Sequence, residues 1–253
     1  MRQHYLFQTI HTLSHNALYV AQHCRILERS YLELFIQPIS LDAEAIRLNI
    51  EKMLRDSGAP TEVSVFVELR IDNERNQEII ISDISHYEGY DLRRISPVGC
   101  CIKVDSPFGL HSTSARREAL NFSNDVALSL GGDTCVECDE VFTDDRNYQL
   151  RLLSICGGAI FGVVDGLLVA STAHCKVGFV ERDLVIAAAS SAGYEVVERD
   201  IFAKELEHFD ELFFCNHYGI NAISSIILPH KGSRCTFGNI VATNIAKELS
   251  QPW

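Results

Sequence analysis

Residues 157–170 read GGAIFGVVDGLLVA, two short apolar runs on either side of Asp165-Gly166. An Asp-Gly pair between apolar runs is a strong signal for a tight turn between two strands. The stretch therefore predicts a β-hairpin. Gly157-Gly158 indicates a tight turn before the first strand rather than a phosphate loop, because no Lys-Ser or Lys-Thr pair follows it.

The patterns on both sides of this hairpin alternate between strand and helix periodicity. A first hairpin is predicted from residues 5–10 and 17–20, and helices are predicted over 22–35, 114–130, 182–192 and 238–249. Residues 40–44 supply an N-cap for a further helix that reaches about residue 55. Further strands are expected at 62–71, 77–84 and 99–104. Ser, Pro and Gly near residue 106 indicate a linker at 106–111 between an α+β domain at 1–105 and a second domain at 112–253.

Composition excludes several classes of protein. The chain has 253 residues and a formal charge of −12 with only six lysines, which disfavours nucleic acid as a partner. Residues 1–17 do not resemble a signal peptide, and no apolar run is long enough to span a bilayer, so we expect a cytoplasmic protein without a membrane partner. The nine cysteines are an odd number in a large chain, which favours reduced thiols.

Four further strings carry a family resemblance. They are HCRILERS at 23–30 followed by ELF at 33–35, AIF with VDGLL at 159–168, GFVER at 178–182, and DELFFCN with GI at 210–220. Their order and spacing over residues 4–228 resemble the class IV aminotransferases and aminodeoxychorismate lyases, which are fold-type IV enzymes of pyridoxal phosphate (PLP). The resemblance implies an α+β architecture with a small N-terminal domain, a larger C-terminal pseudo-barrel domain, a cleft between them and a homodimer.

Residue by residue, the resemblance leaves the cofactor site incomplete. The family needs a lysine just after the linker to form the internal aldimine, but no lysine occurs between Lys103 and Lys176. The matching segment, residues 111–118, reads HSTSARRE, and arginine is no substitute because its guanidinium stays protonated.

Three other cofactor positions also depart from the family pattern. Ile26 stands where an arginine clamps the phosphate, with Arg25 beside it, and Ser154 stands where a glutamate pairs with the pyridinium nitrogen. The phosphate turn carries Val180 and Glu181, and a carboxylate repels a phosphate. We therefore expect no bound cofactor, no catalytic residue of the family and no metal site.

Other side chains are candidates for ligand contacts. The resemblance places Cys215, Asn216, His217 and Tyr218 at the edge of the substrate cleft, and Arg25, Arg116 and Arg117 could bind an anion or form a solvated helix face. The spacing of Cys135 and Cys138 is compatible with a redox pair or half a zinc site, but structural thiols are favoured because no second ligand pair exists.

Three functional hypotheses follow from these observations. The first is a non-catalytic protein with a degenerate PLP site that binds a small anionic metabolite in the cleft between its domains. The second is an active PLP-dependent amino-acid transaminase or aminodeoxychorismate lyase with an altered cofactor site. The third is a lysine-independent enzyme that uses Cys215, His217 or Tyr218.

Overall fold

The protein is described from a computed structural model. The described residues are 4–85, 90, 92–93, 96–105, 108–142, 147–229 and 232–250. Within them the helices are α1 (Val20–Phe35), α2 (Ala43–Ser57), α3 (Ser114–Ser129), α4 (Val180–Ser191), α5 (Ile240–Leu249) and a short 3-10 helix (Ala203–His208). The strands are β1 (Tyr5–Leu13), β2 (Asn16–Ala17), β3 (Val65–Asp72), β4 (Gln77–Ile84), β5 (Val98–Lys103), β6 (Thr134–Phe142), β7 (Tyr148–Ile155), β8 (Ala159–Val164), β9 (Leu167–Ala170), β10 (Val196–Glu198), β11 (Glu211–Asn216), β12 (Gly219–Ala222), β13 (Ser225–Leu228) and β14 (Ser233–Thr236).

The first compact unit comprises Met1–Gly89 and His111–Arg117. Its four-stranded antiparallel sheet has the order β2-β1-β3-β4, and α1 and α2 cover one face of it. Helix α1 packs there because Val20, Cys24, Leu27 and Tyr31 recur at intervals of three or four residues and so share one side of the helix. Asp42 caps α2 by accepting a hydrogen bond from the backbone N–H of Ala45, as its position before the helix predicts.

The second compact unit comprises Tyr90–Leu110 and Glu118–Trp253 and contains two five-stranded sheets. One has the order β10-β9-β8-β11-β12, and the other has the order β14-β13-β5-β6-β7. Strand β8 pairs antiparallel with β9 on one side and with β11 on the other, so it lies in the middle of its sheet.

The hairpin predicted from residues 157–170 is confirmed as β8 and β9. Asp165 and Gly166 form its two-residue turn, with φ angles of 50° and 78°. These left-handed conformations match those of a type I′ turn, which Asp-Gly accommodates at little cost.

Most other predicted elements are confirmed within a few residues, but the predicted strand over 17–20 is wrong. The second strand of the first hairpin is only Asn16–Ala17, because Tyr19 takes a left-handed conformation (φ 55°) and α1 starts at Val20.

The predicted domain boundary differs from the division into compact units. Strand β5, which the prediction assigned to the first domain, pairs with β6 and β13 of the second unit, and residues 111–117, predicted partly as linker, join the first unit. Residues 106 and 107 of the predicted linker lie outside the described residues.

Gly162 in β8 provides a test of this packing. A Cβ atom there would lie 2.4 Å from the ring of the buried Phe209, closer than real Cβ contacts allow. We expect Gly162→Ala to lower the free energy of unfolding by about 1–3 kcal/mol because the core must shift to accept the methyl group. Urea unfolding followed by circular dichroism measures this change.

Gly238→Ala is the matched control, since the nearest atom to its added Cβ is 3.6 Å away. Equal urea midpoints for the two variants would contradict the packing of Phe209 against β8.

Candidate functional site

A buried carboxyl lies beside Ser154, the position where the family resemblance predicts a glutamate. Glu137 on β6 and Ser154 on β7 are cross-strand partners, and the Ser154 hydroxyl donates a hydrogen bond to Glu137 Oε2. Both residues are buried. A buried carboxyl on β6 thus lies directly beside the Ser154 position on β7.

Sequence reasoning missed Glu137. A signal was present, because a glutamate between the apolar Val136 and Cys138 must either face solvent or find a buried polar partner. The identity of that partner depends on the register of β6 and β7, which the sequence does not specify.

A second buried carboxyl lies at the amino end of α4. Glu181 is only 4% exposed, and its burial raises its pKa to about 7, while a hydrogen bond from its own backbone N–H opposes that rise. The amino end of a helix favours an anion because its free N–H groups and dipole point toward it. The family resemblance predicts the phosphate turn here, and the structure has the buried Val180 and Glu181 in the first turn of α4.

Cys215 lies near Glu181. Its thiol is fully buried on β11, and burial raises its pKa well above the ordinary value, with the Glu181 charge as a further cause. A thiol held in its protonated form is a weak nucleophile. Nucleophilic catalysis by Cys215 is therefore disfavoured.

The turn between β11 and β12 holds the remaining predicted cleft residues. Asn216 is buried, and its Oδ1 accepts a hydrogen bond of 3.0 Å from the backbone N–H of Tyr218. The rings of His217 and Tyr218 are half-buried with centroids 4.2 Å apart, and the guanidinium of Arg93 lies 5.5 Å from the Tyr218 ring centre. This arrangement gives the turn a fixed shape and a nearby positive charge.

In the first unit, the phosphate-clamp position on α1 is apolar and buried. Ile26 is 8% exposed, whereas Arg25 is exposed on the helix surface. The two neighbours point in different directions because successive helix residues are about 100° apart. The Arg25 side chain therefore does not point in the direction of the Ile26 side chain, and it does not take the place of an arginine at position 26.

The segment that the resemblance matches to the family's lysine position contacts the first sheet and α1. The backbone N–H of Phe7 donates to the Ser112 carbonyl at 2.9 Å. His111 is buried, with its Nδ1 2.9 Å from Ser30 Oγ and its Nε2 3.1 Å from Glu33 Oε2. Burial lowers the pKa of His111 despite the opposing effect of Glu33. This Ser-His-Glu group was also missed, because its members are far apart in the sequence.

The two arginines of this segment differ in environment. Arg116 is buried, and its backbone N–H donates to Thr113 Oγ1. The guanidinium of Arg117 contacts Glu68 at 2.6 Å and lies 3.8 Å from the Phe7 ring centre. Arg117 therefore already has an anionic partner within the chain.

Lysines in the described part of the chain are on the surface. Lys52, Lys103, Lys176, Lys204 and Lys247 are all exposed, and Lys231 lies outside the described residues. An amine that forms an internal aldimine has to face an enclosed cofactor site. The five exposed lysines do not have that environment.

Cys135 and Cys138 do not lie on the same face of β6, although they are only three residues apart in the sequence. Successive side chains of a strand alternate, so these residues face opposite sides of the sheet, and they belong to different core clusters. The described ranges contain no group of three or more His, Cys, Asp or Glu side chains arranged to hold a metal. No helix in those ranges is long and apolar enough to cross a membrane.

Comparison of the sequence with family models and with curated proteins finds no match. Comparison of the structure finds strong likenesses that cover almost the whole chain. A protein from Legionella pneumophila assigned as a 4-amino-4-deoxychorismate lyase has a TM-score of 0.72 and 15% identity over 98% of this chain and 90% of that one. The branched-chain aminotransferase of Thermoproteus uzoniensis has a TM-score of 0.71 and 17% identity over 96% and 84%.

The fold IV transaminase CpuTA1 of Curtobacterium pusillum has a TM-score of 0.73 and 15% identity over 98% and 87% of the two chains. At this level of identity the likeness concerns the fold. The chain has the two-domain α+β fold of the class IV aminotransferases and aminodeoxychorismate lyases, the fold-type IV of PLP enzymes.

Proposed function

We propose that this protein is a pseudoenzyme that uses the fold-type IV scaffold for binding or regulation, without PLP-dependent catalysis. The observation that carries the proposal is the sequence between Lys103 and Lys176, which has no lysine in the region where the fold's enzymes form the aldimine. The exposure of the five described lysines supports it, because all of them are open to solvent rather than buried.

The residues at the phosphate end of the expected cofactor site also do not fit PLP. Glu181 puts a buried carboxyl at the amino end of α4, and the clamp position carries the buried Ile26. The phosphate of PLP would lack a cationic partner at the Ile26 position, and it would lie beside a carboxyl at the Glu181 position. No catalytic step through PLP is therefore derived for this chain.

One observation favours the alternative of an active transaminase or aminodeoxychorismate lyase with an altered site. Glu137, hydrogen-bonded to Ser154, provides a buried carboxylate next to the position where the fold's enzymes pair with the pyridinium nitrogen. A carboxylate in this place would serve the electron-sink chemistry, but it does not supply the amine that the reaction needs first. The non-catalytic proposal is therefore the better supported one.

The arginines of the chain give little support to an anion as the ligand in the proposed binding role. Arg117 is paired with Glu68, and Arg25 is exposed on α1, so two of the three arginines predicted for an anion pocket have other environments. We also propose, from the resemblance, that the protein is a cytoplasmic homodimer.

The first test of the proposal is incubation with PLP, followed by dialysis and an absorbance spectrum. We expect no retained aldimine band, because the exposed lysines form only reversible adducts with free aldehyde. Borohydride reduction before dialysis should then label several surface lysines weakly, as peptide mapping by mass spectrometry will show.

A retained band whose reduction places pyridoxyl phosphate on one specific lysine would overturn the proposal. Replacement of that lysine by arginine, which keeps the charge but not the amine chemistry, should then remove the band and would identify the aldimine-forming residue.

Glu181 provides a second test through pH. Its folded-state pKa of about 7 lies above its ordinary value of 4.5, so folding favours the protonated carboxyl. The associated stability is fully present below pH 4.5 and is lost as the pH rises through 7. Between pH 5 and 8, we expect the free energy of unfolding of the wild type to fall by up to about 3 kcal/mol more than that of Glu181→Gln.

Urea unfolding at a series of pH values measures this difference. The control is Glu195→Gln, which changes an exposed glutamate of the same unit. Parallel pH curves for the wild type and Glu181→Gln would mean that the Glu181 carboxyl is not held in a buried site.

A further inference from the structure

Four cysteines on the neighbouring strands β5 and β6 form two pairs on opposite faces of one sheet. Cys100 and Cys135 are register partners and lie, with Ala127, in a small cluster on one face. Cys101 and Cys138 lie in the main core cluster on the other face. The spatial partner of Cys138 is thus Cys101, from another strand, and not Cys135, its partner in the sequence motif.

The side chains of Cys101 and Cys138 are diagonal neighbours on one face of the β5–β6 pair. Cys101 is the register partner of Val136, and Cys138 is the next residue of β6 on the same face. A hydrogen bond to Cys101 and then burial raise the pKa of Cys138 well above its ordinary value. The Cys138 thiol also donates a hydrogen bond of 3.5 Å to the Val136 carbonyl oxygen, and this contact restricts the position of the thiol.

The two thiols differ in their access to solvent. Cys138 is fully buried, whereas Cys101 is 7% exposed and lines a pocket of about 620 Å³ within the second unit. Lys103, Glu140, Tyr148 and Lys204 line the same pocket, and the Lys103 ammonium lies 2.5 Å from Glu140 Oε2. A small reagent that enters this pocket can reach Cys101, whereas Cys138 is buried in the same core cluster and does not line the pocket.

We propose that Cys101 and Cys138 are a peroxide-reactive dithiol, in which Cys101 is the attacking thiol and Cys138 the resolving thiol. In the first step the Cys101 sulfur attacks hydrogen peroxide, the O–O bond breaks, and Cys101 becomes a sulfenic acid as one water leaves. In the second step the Cys138 sulfur attacks the sulfenic sulfur, the S–O bond breaks, and the hydroxyl leaves as water with the thiol proton. Two thiols and one peroxide thus give one disulfide and two waters.

The assignment of roles follows from access. Cys101 meets the oxidant because it lines the pocket. Cys138 is fully buried on the same face and can react only with a group that has formed beside it. The inference does not depend on the proposed loss of PLP chemistry, since none of these residues belongs to the cofactor positions.

The test is oxidation of the folded protein with a small excess of hydrogen peroxide, followed by alkylation and non-reducing peptide mapping. We expect the number of free thiols in the denatured protein to fall by two from nine, and dithiothreitol to restore them. Trypsin leaves Cys100 and Cys101 in one peptide and Cys135 and Cys138 in another. Fragmentation of the linked peptides in the mass spectrometer therefore has to assign the bond, which we expect between Cys101 and Cys138.

Single variants provide the matched controls. Cys101→Ala and Cys138→Ala should abolish the crosslink, whereas Cys100→Ala and Cys135→Ala should retain it. In Cys138→Ala the sulfenic acid of Cys101 should accumulate and react with dimedone. Circular dichroism of each variant separates loss of the crosslink from loss of the fold.

Two results would overturn the proposal. One is a crosslink in the wild type that joins Cys100 to Cys135, or Cys135 to Cys138. The other is a wild-type protein that keeps all nine thiols under native conditions and loses them only after unfolding.

Discussion

Close backbone contact around strand β8 positions the buried groups of the second unit. Gly158 lies so near β11 that an added Cβ would be 2.6 Å from the Cys215 carbonyl oxygen, and Gly162 lies against the Phe209 ring. In the same strand the Phe161 ring stacks on Phe213 of β11 with centroids 5.1 Å apart. Because β8 and β11 cannot move apart without loss of this packing, Cys215 and Asn216 at the end of β11 are held in place.

The second unit also contains two buried carboxyls outside this sheet. Glu181 and Glu137 are both buried in the second unit, one at a helix terminus and one between strands. Buried carboxyls are costly unless they are protonated or hydrogen-bonded. Burial raises the pKa of Glu181 to about 7, which favours its protonated form more than in an exposed glutamate, and Glu137 accepts a hydrogen bond from Ser154.

Local sequence patterns predicted the helices and strands well, but they did not predict which strands pair with one another. The β8–β9 hairpin, the Asp42 cap and the helices could be predicted because each depends on residues close together in the sequence. The predicted strand over 17–20 was wrong because nothing in Tyr19 itself indicates a left-handed backbone. The domain division differed because β5 joins its sheet through β6 and β13, which follow it by about 30 and 120 residues, and only the fold shows such pairings.

The candidate site shows the same limit at the level of side chains. Arg25, Ser154, Val180 and Glu181 could be placed in the site from the resemblance, but their partners could not. Glu137 depends on the register between β6 and β7, and His111 depends on contacts with Ser30 and Glu33 some 80 residues earlier in the chain. Sequence spacing thus identifies positions, while the chemistry of each position depends on strand register.

Strand β6 shows why register matters more than motif. Its alternation sends Cys135 and Glu137 to one face and Val136 and Cys138 to the other, so a single run of four residues contributes to two separate environments. The carboxyl of Glu137 faces Ser154, and the thiol of Cys138 faces Cys101 in the core. A reaction at the dithiol would therefore crosslink β5 to β6 on the face opposite the carboxyl.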